Sequence, residues 1–390
     1  MATGLVDLGE QYEQLRASAR AFAREQVAPR AADADRSARY PEDLFEAMRD
    51  ADLLGLPIPV EHGGAGAGMV GLCVAIEEVS RYCNSAGLML LLSRLAAGPI
   101  MICGDQEQQR RYLPAIAAGR LRGSFCLTEP HAGSDVAAIS TIARPDGNGY
   151  LLDGRKCYIS GATVADFYVV WAKTEPADDA AGIAGFLVDR GTPGVAIGHV
   201  DEKMGVRAVP TAEVVLDGVR VPAANRLTKP GSGFHDLMAA LNSARPGVAA
   251  RGLGLAQGAL KYAVDYARER RAFGSSLLDI QAVQFMIADL AMQVEAARFL
   301  VYAAARLVDS GSYGIQAAPW IAMAKCIATD LAVKASSDCL QILGAAGYMA
   351  DHPMERYYRD AKQLQIVEGT SQIQRLIVAR AIRDGHLDLG

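Results

Sequence analysis

FCLTEPHAGSDV, residues 125–136, marks the point where the texture of this chain changes. Upstream, residues 1–124 read as helical, with long runs of Ala, Leu, Glu and Arg and few β-branched stretches. EDLFEAMRDADLLGL, for example, repeats apolar positions at Leu44, Ala47 or Met48, and Ala51, and breakers at Pro57, Pro59 and HGGAGAG separate the segments. Downstream, over 125–232, YLLDGRKCYIS, DFYVVWAKT, GIAGFLVDR and EVVLDGVRV are short and rich in β-branched and aromatic residues. Turn clusters such as PDGNG and RGTPG lie between them, the pattern of an antiparallel sheet. From 233 to 390 the helical period returns. Val283, Ile287, Leu290, Val294, Ala297, Val301, Ala304 and Val308 alternate steps of four and three, as do Leu253, Ala256, Leu260, Ala263 and Ala267 one helix earlier. The spacing predicts long antiparallel helices burying one face, and the fold class is α+β, mostly α, in three domains.

The bulk numbers exclude several classes. A formal net charge of -5 over 390 residues offers no basic excess for nucleic acid. The opening MATGLVDLGEQYEQLRASARAF has no basic start followed by an apolar core, so no secretory signal is expected. The most apolar run, LMLLLSRLAAGPIMI, reads as too short and too interrupted by Arg94 to span a membrane. Seven cysteines without a CxxC pair read as reduced thiols of a cytoplasmic protein. Six scattered histidines support no metal site. Gly66-Ala-Gly68-Met-Val-Gly71 fits a dinucleotide fingerprint in letters only, because prolines precede it and no βαβ alternation surrounds it. It is expected to be a surface loop.

Four stretches remain for chemistry. In the opening segment Thr128, Gly133 and Ser134 offer hydroxyls and unhindered amides suited to a polar ring or a phosphate, although such a loop could also be a plain turn. In KCYISG, Tyr158 and Ser160 alternate along a strand and share a face. RERRAFGSSLLDIQ sets Arg270, Phe273 and Gln281 around a helix break at Gly274. In QLQIVEGTSQIQRLIVAR (363–380), Glu368 stands alone between an apolar pair and Gly369.

TEPHAGSD, RRAFG, the Arg-Asp-Ala of MERYYRDAK and VEGTSQIQR together resemble the acyl-CoA dehydrogenase family, in its order and spacing, over nearly the whole chain. The resemblance implies an N-terminal helical domain, a middle antiparallel β-barrel domain and a C-terminal four-helix bundle. It further implies FAD, a homotetramer, an acyl-CoA substrate that is desaturated at its α and β carbons, and an electron-transfer flavoprotein as acceptor. By position Glu368 is the catalytic base, and the family's other base position is Ala244. Phe125, Leu127, Thr128, Gly133 and Ser134 match the loop at the isoalloxazine, with Ser134 also beside the CoA pyrophosphate. Tyr158 and Ser160 match the pair at the flavin ring. Arg270, Phe273, Gln281 and Gln341 match residues that reach a neighbouring subunit's FAD, and Thr370 and Gln372 match adenosine contacts. Arg245 and Asn242 match the CoA side of the substrate channel, Leu88, Leu91 and Leu95 the pocket floor, and Val367 and Gly369 the wall beside the base.

There are departures. Tyr158 stands where many members have Trp, Gly161 where Asn is usual, GAAG (344–347) where GGxG is usual, and Asn242 at an often acidic position. Arg94 interrupts the pocket floor and is expected to reach out of its helix to a surface acid, with binding of a substrate carboxylate as the lesser alternative. An acyl-CoA oxidase, an acyl-carrier-protein-linked dehydrogenase or a non-catalytic helical scaffold on the same fold are the rival readings.

Overall fold

The computed structural model describes residues 6–174 and 182–388. Helices α1 (Glu10–Phe22), α2 (Ala31–Ser37), α3 (Glu42–Asp50), α4 (Gly68–Ser80), α5 (Asn84–Cys103) and α6 (Gln106–Ala117) come first. Strands β1 (Gly123–Cys126), β2 (Ile142–Asp146), β3 (Gly149–Ser160), β4 (Phe167–Thr174), β5 (Ile183–Asp189), β6 (Val195–Val200) and β7 (Thr211–Pro222) form one seven-stranded sheet. Then come α7 (Gly233–Glu269), a hairpin of β8 (Arg271–Ala272) and β9 (Ser275–Ser276), and α8 (Gln281–Asp309), α9 (Ala318–Leu343), α10 (Ala345–Tyr348), α11 (Met354–Leu364) and α12 (Ser371–Arg383). Helices, sheet and helices follow one another as the sequence texture predicts.

The sheet is mixed rather than wholly antiparallel. β1 and β2 both run parallel to β4, with Gly123 opposite Phe167 and Ile142 opposite Lys173, while the other pairs in the sheet are antiparallel. The two strands lie end to end along one edge of β4, whose other edge holds β5. Segment 127–141, between them, must therefore loop out and return in the same direction. A buried ion pair shapes that loop: the Glu129 carboxylate accepts from Ser140 N at 2.7 Å, Thr141 N at 2.9 Å and Lys156 Nζ at 2.7 Å. Burial pushes the Glu129 carboxyl up, but the Lys156 charge and these hydrogen bonds bring it below the usual carboxylate range.

α7 is the axis of the molecule, packing on α4 and α5 from the first helical region and on α8 and α9 from the last. Two glycines explain how closely. A Cβ on Gly254 would stand 2.2 Å from the Glu77 carbonyl oxygen of α4, and one on Gly252 would stand 2.7 Å from the Ala328 carbonyl oxygen of α9. Only hydrogen fits at either place. The stripes read from the sequence face this contact: Leu253, Ala256 and Ala263 on α7, and Leu290 through Val308 on α8, are buried.

α5 corrects an expectation. It runs for 20 residues, Pro99 and Arg94 included, and by length and composition it could cross a bilayer, yet most of it is buried inside the fold. The glycine-rich loop behaves as read, since no strand precedes it among the described residues and a short turn at Val60–His62 leads to α4. The first amides of α4 are already used, Met69 N at 2.5 Å and Val70 N at 2.9 Å from the Asp309 carboxylate.

Glu77 ties three helices together. Its buried carboxylate accepts from Arg16 of α1 at 3.1 Å, from Arg298 of α8 at 3.0 Å, and from the Tyr302 hydroxyl. Glu77→Gln keeps the shape and leaves two buried guanidinium groups short of a counter-charge, a change that costs about 3–5 kcal/mol. Because Glu78 stays 3.5 Å from Arg16, the lower end of that range is expected in denaturant unfolding. A loss under about 1 kcal/mol would show that the cluster does not hold these helices.

Candidate active site

The VEGT segment (367–370) forms a closed turn between α11 and α12. Ser371 N donates to the Gln365 carbonyl at 2.8 Å, and the Thr370 hydroxyl caps α12 by accepting from Ile373 N at 3.2 Å. Within the turn, Glu368 has φ 56° and Gly369 φ 88°, two successive left-handed residues. For a glutamate that conformation costs on the order of 1–2 kcal/mol, so the surroundings must impose it. They do so through the carbonyls. Arg245 Nε and Gln374 Nε2 each donate to the Glu368 carbonyl at 3.2 Å, and Lys325 Nζ (2.8 Å) and Gln374 Nε2 (3.0 Å) donate to that of Gly369. Arg245 also donates to Asn242, which in turn donates to the Tyr313 carbonyl at 2.9 Å.

The clamp turns the Glu368 side chain inward. Its Oε2 is enclosed and has no hydrogen-bond partner, and among the described residues no cation comes within ion-pair distance of the carboxylate. Burial raises the Glu368 carboxyl above the usual range, against the charges of Arg245, Lys325 and Arg251. The same burial lowers Arg245 to about 10 and Lys325 to about 8. A desolvated carboxylate with a free oxygen, on a rigid turn, is built to take a proton from something else.

A second cluster lies on the sheet. Thr128 accepts from Cys157 N at 2.9 Å, and the Ser124 hydroxyl donates to the Ser160 carbonyl at 2.9 Å, so the loop and β3 form one surface. β3 carries an irregularity between Lys156 and Ile159, where Tyr158 takes φ 58°. Tyr158 and Ser160 still both face outward, with Ile159 buried between them, but through a bulge and not through simple alternation. Gly133 and Ser134 are exposed, and nothing stands within 4 Å of a Cβ built on Gly133. Phe125 packs its ring 6.0 Å from Trp171, and Leu127 is buried beneath. This cradle abuts α5, since a Cβ on Gly161 would lie 3.1 Å from Leu92 Cδ1.

Other predicted residues are not brought here. Arg270 caps the far end of α7, about 38 Å along the helix from Arg245 at 1.5 Å per residue. Phe273, 98% exposed, and Gly274 form the tip of the β8–β9 hairpin, both with positive φ. Gln281, Gln341 and Gln372 are also exposed. Leu88, Leu91 and Leu95 are buried on α5, and Val367 packs against the main core. Arg94 contradicts expectation: it is 8% exposed, and among the described residues no acid comes within ion-pair distance of it. α5 is covered on that side by α7, so its side chain has no route to the surface. No group of three or more potential metal ligands occurs among the described residues.

Sequence reading missed Lys325, Gln374, Glu129 and Lys156. Lys325 could have been found, because it takes a core position in the stripe Ile321, Lys325, Ala328, Ala332 of α9.

The chain is similar over nearly its whole length to known proteins. The acyl-CoA dehydrogenase N-terminal, middle and C-terminal domain families match residues 9–120, 124–219 and 231–383. An acyl-CoA dehydrogenase of Bacillus subtilis is 42% identical over 372 residues, 95% of this chain and 97% of the relative. The structure of butyryl-CoA dehydrogenase from Megasphaera elsdenii superposes with TM-score 0.93 at 34% identity, covering 97% of this chain and 99% of that one. A glutaryl-CoA dehydrogenase from Mycobacterium smegmatis in complex with FADH2 gives TM-score 0.89 at 28% identity, with 97% and 95% covered.

The clamp generates a pH test. Lys325 faces Glu368 with a positive charge that favours the carboxylate, so Lys325→Met moves the ionisation of Glu368 to higher pH. Infrared titration of the carboxyl band that disappears in Glu368→Gln measures this directly. An unchanged midpoint would remove Lys325 from the field at Glu368.

Proposed function

The chain belongs to the acyl-CoA dehydrogenase family, and on that footing we propose that it desaturates an acyl-CoA thioester, with Glu368 abstracting the α-proton. The observation that carries the reading is the enclosed, unpartnered Oε2 of Glu368. An α-proton is weakly acidic, so the base needs a raised pKa, and the negative charge developing on the thioester oxygen needs donors. Burial supplies the first. For the second, the Glu368 N–H has no acceptor among the described residues and lies on the same turn. Arg245 and Lys325 hold that turn and add positive potential behind it. Ala244, at the family's other base position, is buried and cannot substitute.

The residues of the sheet cradle fit a flavin. Thr128, Ser134 and Ser160 offer hydroxyls, Gly133 leaves room for close approach, and Phe125, Leu127 and Tyr158 offer apolar surface. FAD, when bound, supplies the two-electron acceptor for the β-hydride. The distance of Arg270 from Arg245 supports a role for Arg270, Phe273 and Gln281 at a neighbouring subunit's FAD, with Gln341, Thr370 and Gln372 completing the contacts, in a homotetramer. Exposed Phe285, Met292 and Trp320 on α8 and α9 favour such assembly. An electron-transfer flavoprotein is the proposed acceptor, and seven free cysteines suit a cytoplasmic setting.

Glu368→Gln tests the reading. The amide is nearly isosteric, so the turn, FAD and acyl-CoA binding survive, while reduction of the flavin by substrate falls by at least about 100-fold. Anaerobic stopped-flow bleaching at a near wild-type rate would refute the role of Glu368. Separately, Arg270→Ala is expected to lower the flavin retained after dialysis while leaving the thermal transition of the apoprotein in place, since its exposed side chain makes no hydrogen bond or ion pair among the described residues. Full retention would remove Arg270 from the cofactor site.

A further inference from the structure

Six arginines are buried among the described residues: Arg16, Arg94, Arg245, Arg251, Arg298 and Arg356. Five of them donate to oxygen. Arg16 and Arg298 reach Glu77, Arg245 the Glu368 carbonyl, Arg251 Asn84 and Gln363, and Arg356 the Tyr82 carbonyl. Arg94 donates to none. Its Nε is enclosed without a partner, and its Nη1 meets only Met101 Sδ, at 3.9 Å. Asp309 is the acid whose charge bears most on it, and both carboxylate oxygens of Asp309 are engaged by Met69 N and Val70 N. A buried, unpaired guanidinium is strongly unfavourable, and arginine does not escape by losing its proton. Something outside the protein's own side chains has to complete it.

Position says what. Arg94 lies on α5 between Leu91 and Leu95, and its Nε and the Ser243 hydroxyl of α7 each stand 3.7 Å from a Cβ built on Gly98. One residue from Ser243, Asn242 bonds Arg245, which bonds the Glu368 carbonyl. One turn along the same seam, Leu91 Cδ1 is 2.5 Å from a Cβ built on Gly247. The guanidinium therefore sits in the α5–α7 seam, whose α7 side also carries the Arg245 that holds the Glu368 turn, among leucines and beside a Ser243 hydroxyl already spent on the Ala240 carbonyl. We infer that Arg94 selects acyl-CoA substrates whose acyl group bears a carboxylate, taken by the planar fork of the guanidinium. The inference rests on the acyl-CoA reading of the site given above.

The test uses the FAD-loaded protein and three pairs of thioesters matched in carbon number: succinyl- and butyryl-CoA, glutaryl- and valeryl-CoA, adipyl- and hexanoyl-CoA. In at least one pair the wild type should favour the dicarboxylic ester by about tenfold or more in kcat/KM. Arg94→Met should lower that ester by about 100-fold and raise its alkanoyl partner, because an apolar side chain replaces a buried charge. Arg94→Lys, which keeps the charge, should retain the preference, and it decides the matter if Arg94→Met does not fold. Dissociation constants from the flavin spectrum under anaerobic conditions should follow the same order. A wild type that prefers the alkanoyl ester in every pair, or an Arg94→Met that slows both members of each pair equally, overturns the inference while leaving the dehydrogenase reading intact. Reduction by none of the six esters overturns that reading as well.

Discussion

The site depends on one constraint: a carboxylate must be kept dry, unpartnered and pointing inward. Left alone, a glutamate followed by glycine at a helix junction would relax to an ordinary conformation and swing into water. Here it cannot, because its two nearest carbonyls are held by a cation from α7, a cation from α9 and a glutamine from α12. Those three helices meet only because the bundle packs as it does. The left-handed turn at Glu368 is thus stabilised by the helices of the C-terminal core that hold its carbonyls.

The same helices serve the rest of the molecule. α7 reaches Arg245 only by running between α4 and α9, and Gly252 and Gly254 set those spacings. The Glu77 cluster then joins α1, α4 and α8 around it. The two halves of the candidate site sit on different domains, the cradle on the sheet and the base on the bundle. Their meeting is fixed where β1 and the loop after it abut α5, and where α5 in turn packs on α7.

Much of this was legible in the sequence, and the reason is periodicity. The α8 and α7 stripes name buried residues almost one for one, because a helix that buries a face must repeat at 3.6. The strands were legible as strands, but not the parallel pairing of β1 and β2 with β4, since pairing direction leaves no local mark on composition. Glu368 was legible as a candidate from its motif; the clamp around it was not. Lys325, Gln374 and Arg245 are separated from one another by tens of residues, and only packing brings their donors to two adjacent carbonyls. The burial of Arg94 is illegible for a related reason. A charge in an apolar helix ordinarily finds the surface, and only the position of α7 shows that this one cannot.

The buried charges separate into two kinds, and the difference divides scaffold from site. Around Glu77 and around Glu129 every charge is matched: acids meet arginine or lysine at hydrogen-bond distance, and those carboxyls stay below their usual range despite burial. Around Glu368 the arrangement is reversed. Arg245, Lys325 and Arg251 stand near one carboxylate that none of them pairs with, the acid is raised, and the bases are lowered. A closed network gains nothing by leaving such a mismatch, because each unpaired buried charge destabilises the fold. Such a mismatch is tolerated where a ligand supplies what is missing, which on the proposed reading is the substrate's α-proton taken by Glu368. A raised acid beside lowered bases, held together on one turn, is the electrostatic pattern that active sites share.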